Sequence, residues 1–397
     1  MRCIVGIDDT DSSRGYCTTY LAYRIAQDLQ PEVKVLPYPR LVRLNPNIPF
    51  KTRGNAAVCL AVEVIDPERA FEILSAKVRE LADVQGGANS GMVFLDDASK
   101  AGRFEPLYLE AVSGVVNPHR VRRLLDDVGA ERLELGNGMG VVGAASSIGF
   151  SEKFDHTFEL IAYRHREFWG TKRIIDSSSV KDMDARTFPH TFNNYDYQKR
   201  KVLVAPHGPD PVFAGIRGDS PSATVEAFGL LSYDEPLDGQ MVYLSNQHTD
   251  AHLQKKLEWK VYSSGWVEGE VERVNVGTGG HVYLSIDVAG VRRMVAAYEP
   301  TGDLRRVARL LRRGDRIRAF GGVRRGTPLH PTILNAEKFE LISMGARRDS
   351  IRKGTYISSP RANRHLTMPL TRYGRERYDR AEPIEGWLGP TPQPVPA

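Results

Sequence analysis

An apolar run that breaks abruptly into carboxylates opens this chain and limits what it can fold into. Residues Cys3 to Ile7 are apolar apart from Gly6, enough for one short buried strand. Asp8 to Gly15 then supply three carboxylates, three hydroxyls and a glycine. From Tyr20 a helical period takes over, with Leu21, Ile25 and Leu29 on one face. Strand, polar turn and helix in that order build a phosphate site. The helix start offers free N–H groups, and carboxylates at the strand end can hold Mg²⁺. On this reading Asp8, Asp9 and Asp11 are metal ligands, and Gly6, Thr10, Ser12, Ser13, Gly15 and Thr19 are candidate nucleotide contacts. Clustered carboxylates repel one another without a cation. The same residues also fit an acidic turn that only caps a helix, with Thr18 or Thr19 as N-cap. No G-x-x-x-x-G-K-[ST] follows, so the common ATPase loop is excluded.

A length of 397 residues suggests about two to four domains. Hydrophobic residues at 41% and charged residues at 26% are ordinary globular values, which permit sizeable cores and argue against pervasive disorder. There is no run of 18 apolar residues, and the first residues read as a strand rather than a signal peptide, so a soluble, cytoplasmic protein without membrane contact is expected. Cys3, Cys17 and Cys59 stand outside any C-x-x-C spacing, which excludes a disulfide framework and a Cys₄ zinc site. The net charge of +5 is mild but uneven. Residues 301–325 hold nine arginines against two aspartates, and residues 347–380 hold ten Lys/Arg against three acids. Such patches favour a polyanion, nucleic acid first, or form a solvated charged face.

Tyr38 to Asn55 contains three prolines and the cations Arg40, Arg43, Lys51 and Arg53, and ends in Gly54-Asn55. It reads as an extended basic loop that supplies cations to ATP phosphates or RNA, or as plain surface. Ala56–Ile65 reads as a strand and Pro67–Leu81 as a helix. Two glycine loops follow, one with Asn89 and Gly91, the other with Gly138 and Gly140 before an Ala-rich helix. Their backbone N–H groups can approach a phosphate, although tight helix packing also wants small residues. From Thr157 onward, strands and helices alternate as in a compact α+β unit. His248 and His252 have the spacing of zinc ligands on one helix face, but H-E-x-x-H is incomplete, and hydrogen bonding or RNA contact is the favoured reading. Residues 259–342 read as five short strands with a helix near 304–313 between the third and fourth, the order of an OB barrel. A basic, then Pro-rich tail follows, expected to be partly disordered.

Five groups of residues carry a resemblance. They are Gly6 to Tyr20; Arg40-Leu41-x-Arg43-Leu44-Asn45-Pro46 with Lys51-Thr52-Arg53-Gly54-Asn55; Gly215-Ile216-Arg217-Gly218; Gly280-His281-Val282; and Arg364-His365-Leu366. Together they resemble the archaeal tRNA-isoleucine 2-agmatinylcytidine synthetases along nearly the whole chain. The resemblance implies a multidomain α+β protein: a kinase-like ATP/Mg²⁺ domain at 1–150, a ferredoxin-like domain on the agmatine side at 151–256, an OB-fold RNA-binding domain at 257–343 and a basic tail at 344–397. It implies ATP-dependent activation of the C2 oxygen of the wobble cytidine in a tRNA-isoleucine with a CAU anticodon, then displacement by agmatine. Thr18 matches the family threonine that becomes phosphorylated, and Lys51 and Arg53 would stabilise developing charge. Agmatine is a dication, so carboxylates are expected around it; Asp182, Asp184, Asp196 and Asp219 are candidates on charge alone. Arg305, Arg306, Arg309, Arg312, Arg313, Arg361, Arg364 and His365 are the candidate RNA contacts.

The family's zinc ribbon, with paired C-x-x-C motifs, belongs between the barrel and Arg364-His365-Leu366. Here Ile342 to Tyr356 passes across without cysteines, so no zinc is expected. Asn89-Ser90-Gly91 also replaces the family's Asn-Pro-Gly. Two alternatives follow: a ribbon-lacking paralogue that phosphorylates or amidates another RNA or a small molecule, and a non-catalytic RNA binder. The crowded Asp8, Asp9 and Asp11 argue against the binder, which has no need to concentrate like charges.

Overall fold

The first strand is apolar on both faces because it lies inside a sheet covered on both sides. In the computed structural model, which describes residues 1–345 other than 50, 52, 53, 198, 199, 300, 302, 328 and 329, together with 366–367, Cys3–Ile7 are all buried. Cys3, Val5 and Ile7 enter the core under the first two helices, while Ile4 enters the opposite core. That alternation is the two-residue period of a strand.

The elements, in chain order, are β1 (Arg2–Asp8), α1 (Thr18–Asp28), β2 (Val33–Val35), β3 (Arg40–Arg43), β4 (Ala56–Val64), α2 (Pro67–Leu81), β5 (Gly91–Leu95), α3 (Glu105–Ala111), α4 (Pro118–Val128), β6 (Glu131–Glu134), α5 (Gly140–Ile148) and β7 (Thr157–Arg164). They continue with α6 (Ser177–Thr187), β8 (Thr191–Phe192), β9 (Tyr195–Asp196), β10 (Lys201–Val202), β11 (Val212–Gly218), α7 (Pro221–Gly229) and β12 (Leu237–Ser245). All of these fall in one compact unit, Met1–Ala251.

A ten-stranded sheet organises that unit in the order β6-β5-β1-β4-β3-β12-β7-β11-β8, with β2 on β4. It runs without a break across residue 150. Its seam is the parallel pairing of β3 with β12, Arg40 opposite Leu244 and Leu41 opposite Ser245. Residues Arg40–Arg43, expected within an extended loop, form an internal strand. Leu41 and Val42 are buried in different cores, while β4 and β12 satisfy the backbone. Asn246 secures the seam by accepting from the Arg43 amide at 2.6 Å and donating to the Arg43 carbonyl at 2.9 Å.

The second unit begins at His252 and holds β13 (Ser264–Val276), β14 (Val282–Val288), β15 (Val291–Ala297), α8 (Asp303–Ala308), β16 (Arg316–Thr327), β17 (His330–Ser343) and β18 (Leu366–Thr367). Strands β13 to β17 close into a five-stranded barrel, because β15 pairs in parallel with β17 while β13 pairs with both β14 and β16. Closure leaves this small sheet no free edge among those strands. The helix lies between the third and fourth strands as expected, though it ends at Ala308, with Gly314 at φ 84° in the turn beyond. No helix among the described residues is long and apolar enough to cross a membrane.

Candidate active site

The end of β1 is packed so tightly that only glycine fits at several neighbouring positions. A Cβ on Gly143, in the first turn of α5, would lie 1.8 Å from Asp8 Oδ2. One on Gly91 would lie 2.0 Å from the Val141 nitrogen, and one on Gly140 2.6 Å from the Asn89 carbonyl oxygen. The two glycine loops therefore converge on Asp8. Asn89 ties them together: its carbonyl accepts from Gly140 N at 2.8 Å, its side chain accepts from Asn137 N at 3.0 Å, and its own amide donates to Asp9 Oδ2 at 3.1 Å. Asp9 itself has φ 55°, the left-handed region that few side chains other than Asn and Asp tolerate. Burial, and then the neighbouring carboxylate of Asp9, push the Asp8 carboxyl well above its ordinary range; Asp11 adds to this, and the bond from Asp9 N opposes it.

The turn after Asp11 is shaped from a distance by Asp83. That carboxylate accepts from Ser12 Oγ at 2.5 Å, from Arg14 and from Gly86 N at 3.1 Å, and the Arg14 guanidinium holds it below the usual carboxylate range. Helix α1 then begins at Thr18. Its N-cap is Cys17, which makes no capping bond with its side chain, so neither Thr18 nor Thr19 is the cap. Thr18 Oγ1 accepts from Thr10 Oγ1 at 3.0 Å. The Thr19 carbonyl is gripped from the other half of the sheet by Tyr163 Oη at 3.0 Å and Tyr243 Oη at 2.7 Å, and burial raises both phenols well above their ordinary range.

The start of α1 opens onto a cavity of about 300 Å³, lined among others by Asp11, Cys17, Thr18, Thr19, Arg43, Gly54, Glu159, Asp210 and Arg217. This is the volume of a small-molecule pocket. Glu159, 2% exposed near the start of β7, lies between two guanidiniums: Oε1 is 3.0 Å from Arg217 Nη2, and Oε2 is 3.5 Å from Arg43 Nη2. Asp210 sits on a loop stitched by Arg173, whose largely covered side chain donates to the carbonyls of Pro206, Gly208, Asp210 and Val212 at 2.7–3.1 Å.

Thus Asp8, Asp9, Asn89, Gly91 and Gly140 form the knot at the strand end; Thr10 follows it, bonded to Thr18, and Gly138 lies in the loop before α5, packed against Glu134. Asp11, Thr18, Thr19 and Gly54 reach the cavity. Gly6 packs under the Ala144 carbonyl, and Ser12 and Gly15 close the turn on each other. Ser13 is exposed. Lys51 Nζ donates to the Pro46 carbonyl at 2.5 Å, and Asn55 braces the same segment through the Asn45 carbonyl at 2.9 Å. Among the described residues no group of three or more His, Cys, Asp or Glu side chains could hold a metal ion, so Asp8, Asp9 and Asp11 are not a preformed three-ligand cage. His248 contacts Asn193, and His252 pairs with Glu337.

None of the four acids chosen on charge lines this cavity. Asp184 is buried and accepts from Tyr197 at 2.7 Å and Asn194 at 3.2 Å; Asp219 pairs with His190; Asp182 is exposed on α6; Asp196 lies in β9. On the barrel, Arg309, Arg312 and Arg313 lie in the segment after α8, and Arg305 pairs with Glu299. Arg53, Arg361, Arg364, His365 and the Arg306 side chain lie outside the described residues. Sequence reasoning missed Glu159, Asp210 and Asp83 and gave Arg217 no role. The one available signal was Glu159 itself, a carboxylate inside an otherwise apolar strand.

A phosphate-type strand–turn–helix opening on a cavity lined by both carboxylates and guanidiniums, followed in the chain by a basic barrel, defines a multidomain α+β protein built for nucleotide and nucleic-acid chemistry. Residues 4–66 match the TiaS TCKD domain and residues 138–252 the TiaS FLD domain. The isoleucine-tRNA 2-agmatinylcytidine synthetase TiaS of Cenarchaeum symbiosum is 41% identical over 341 residues, 85% of this chain and 76% of the relative. That of Archaeoglobus fulgidus is 35% identical over 424 residues, 95% and 99% of the two chains. A crystal structure of TiaS in complex with its isoleucine tRNA, AMPCPP and agmatine superposes with a TM-score of 0.79 at 36% identity, over 87% of this chain and 84% of that one. The chain belongs to the TiaS family.

Proposed function

We propose that this chain is an ATP-dependent ligase that replaces the C2 oxygen of the wobble cytidine of a CAU-anticodon tRNA-isoleucine with agmatine. The observation that carries the reading is the shared chamber: Thr18, at the start of α1, opens on the same cavity as the buried carboxylate Glu159. Phosphoryl chemistry and a cationic amine meet there. A cytosine carbonyl oxygen leaves poorly, and a phosphoryl group makes it a good leaving group. A phosphorus–oxygen bond of ATP breaks as cytosine O2 bonds phosphorus. The agmatine nitrogen then bonds C2, the C2–O2 bond breaks with loss of phosphate, and a carboxylate accepts the amine's proton.

The chain's own residues have these roles. The helix start at Thr18 steadies phosphate charge with free N–H groups, and Thr10 orients the Thr18 hydroxyl. Lys51 and Arg53 stabilise the charge that develops, and the glycine loops bring backbone close to nucleotide. Asp8 and Asp11 suit Mg²⁺ held jointly with phosphate oxygens, since this ion takes one or two carboxylates and keeps several waters. Burial first, and then the neighbouring carboxylates, raise the Asp8 carboxyl, and the repulsion among those carboxylates is what a cation relieves. Mg²⁺, when bound, neutralises phosphate charge in the transfer. Agmatine falls to Glu159 and Asp210, which line the cavity, in preference to Asp182, Asp184, Asp196 and Asp219.

In domain terms, residues 1–150 handle ATP, 151–256 form a ferredoxin-like partner on the amine side, and 257–343 are an OB-fold. Arg309, Arg312 and Arg313 on that fold, with the basic segment 344–397, engage tRNA phosphates. The work is done in the cytoplasm. The test is nucleoside mass analysis of a CAU-anticodon tRNA-isoleucine after incubation with ATP, Mg²⁺ and agmatine. A mass gain for agmatine on cytidine is expected; consumption of ATP with no gain contradicts the assignment.

A further inference from the structure

The Arg43–Glu159–Arg217 triad is not fully satisfied, and that is its most informative property. Glu159 Oε2 accepts no hydrogen bond, and the Nε atoms of Arg43 and Arg217 are buried with no hydrogen-bond partner. Buried carboxylates and guanidiniums ordinarily have theirs. The two arms of the triad also differ. Arg217 contacts Oε1 at 3.0 Å with a side chain 16% exposed; Arg43 stands at 3.5 Å from Oε2 and is 35% exposed. The Arg43 backbone is clamped at both polar groups by Asn246, so its side chain is the part able to move. Arg43, Glu159 and Arg217 come from β3, β7 and β11, strands on both sides of the sheet's seam, and all three face the cavity that Thr18 opens on.

We propose that Glu159 is an exchangeable counter-ion that couples the amine to the nucleotide. A cationic N–H donor of the amine substrate takes Oε2 and displaces the long contact from Arg43. The released guanidinium turns to the phosphate handled at the start of α1. Arg217, held at normal ion-pair distance, keeps Glu159 in place during the exchange. Each substrate then tightens the binding of the other by the same factor, because linkage between two sites is reciprocal. The inference rests on the amine-and-nucleotide reading of the cavity and adds to it an order of events: the phosphate-directed cation is held back until the amine is present.

The test is equilibrium binding on the full chain, with agmatine and a non-hydrolysable ATP analogue in Mg²⁺ as probes, each titrated with and without the other. Wild type is expected to bind the analogue about 10-fold tighter when saturated with agmatine, within the usual range of coupling factors. Glu159→Gln is expected to weaken agmatine and bring the coupling factor to one. Arg43→Ala separates this device from a simple amine site: agmatine binding holds or tightens, while coupling to the analogue disappears. Equal analogue affinity with and without agmatine in wild type overturns the proposal and leaves the amine site standing. Coupling that persists in Arg43→Ala or Glu159→Gln overturns it as well. Failure of wild type to bind agmatine removes the underlying reading along with it.

Discussion

The knot at the end of β1 and the cavity beside α1 are adjacent in the chain, yet they treat polar groups in opposite ways. In the knot, the Asp9 carboxylate, the Asn89 amide and carbonyl and the Gly140 nitrogen are bonded to one another, and glycines let the backbone approach within contact distance. In the cavity, Glu159, Arg43 and Arg217 each keep a buried atom with no hydrogen-bond partner. The difference teaches where geometry is set in advance and where it awaits a ligand. The knot holds carboxylates in one fixed arrangement, and the cavity holds charges that a substrate completes.

The largest effect expected is from Asp8→Asn. Product formation falls on the order of 10³-fold, about 4 kcal/mol, measured as modified cytidine per minute. Stability moves the other way. The folded Asp8 pKa is raised, so the folded state binds more protons than the unfolded one between the two pKa values. Stability therefore falls as pH rises through that window and stays low above it. In nucleotide-free, Mg²⁺-free buffer at pH 7, Asp8→Asn melts a few degrees higher than wild type, and the gain vanishes at acid pH. A destabilised Asp8→Asn at pH 7 breaks the picture of the knot as buried and crowded charge.

Next comes Gly143→Ala, whose new methyl displaces the Asp8 carboxylate. Activity falls about 10²-fold. Combined with Asp8→Ala the substitution adds almost nothing, because both act through one contact. Smaller again are Tyr163→Phe and Tyr243→Phe. Each removes a hydroxyl from the Thr19 carbonyl and costs about 1 kcal/mol by thermal or urea unfolding. The double variant costs less than the sum, since the two phenols share that acceptor and lie 2.7 Å apart. Smallest is Arg313→Ala on the barrel, which weakens tRNA a few-fold and lowers the slope of log affinity against log salt by about one.

What could be read from sequence followed the same division. The strand–turn–helix that opens the chain is contiguous: an apolar strand, three carboxylates and a helix start are neighbours in sequence, so their chemistry is visible before folding. The glycine loops carried their own signal because Gly91 and Gly140 are required by backbone approach. The barrel was legible from strand order and turn glycines. The cavity was not. Glu159 and Arg217 meet because β7 pairs with β11, and Arg43 joins them only through the parallel β3–β12 seam. Hydrophobic period tells that a strand exists and is silent about its neighbours. Asp83 escaped for the same reason, since its partners Ser12 and Arg14 lie far back in the chain. Charge alone pointed to Asp182, Asp184, Asp196 and Asp219, and charge carries no information about which acids face one chamber.

The most direct test is a crystal structure of the chain with agmatine and a non-hydrolysable ATP analogue. The account predicts one of agmatine's two cationic ends against Glu159, with phosphate beside Thr18 in the same cavity. Agmatine held instead by the acids of α6 and β9, away from Thr18, would contradict it.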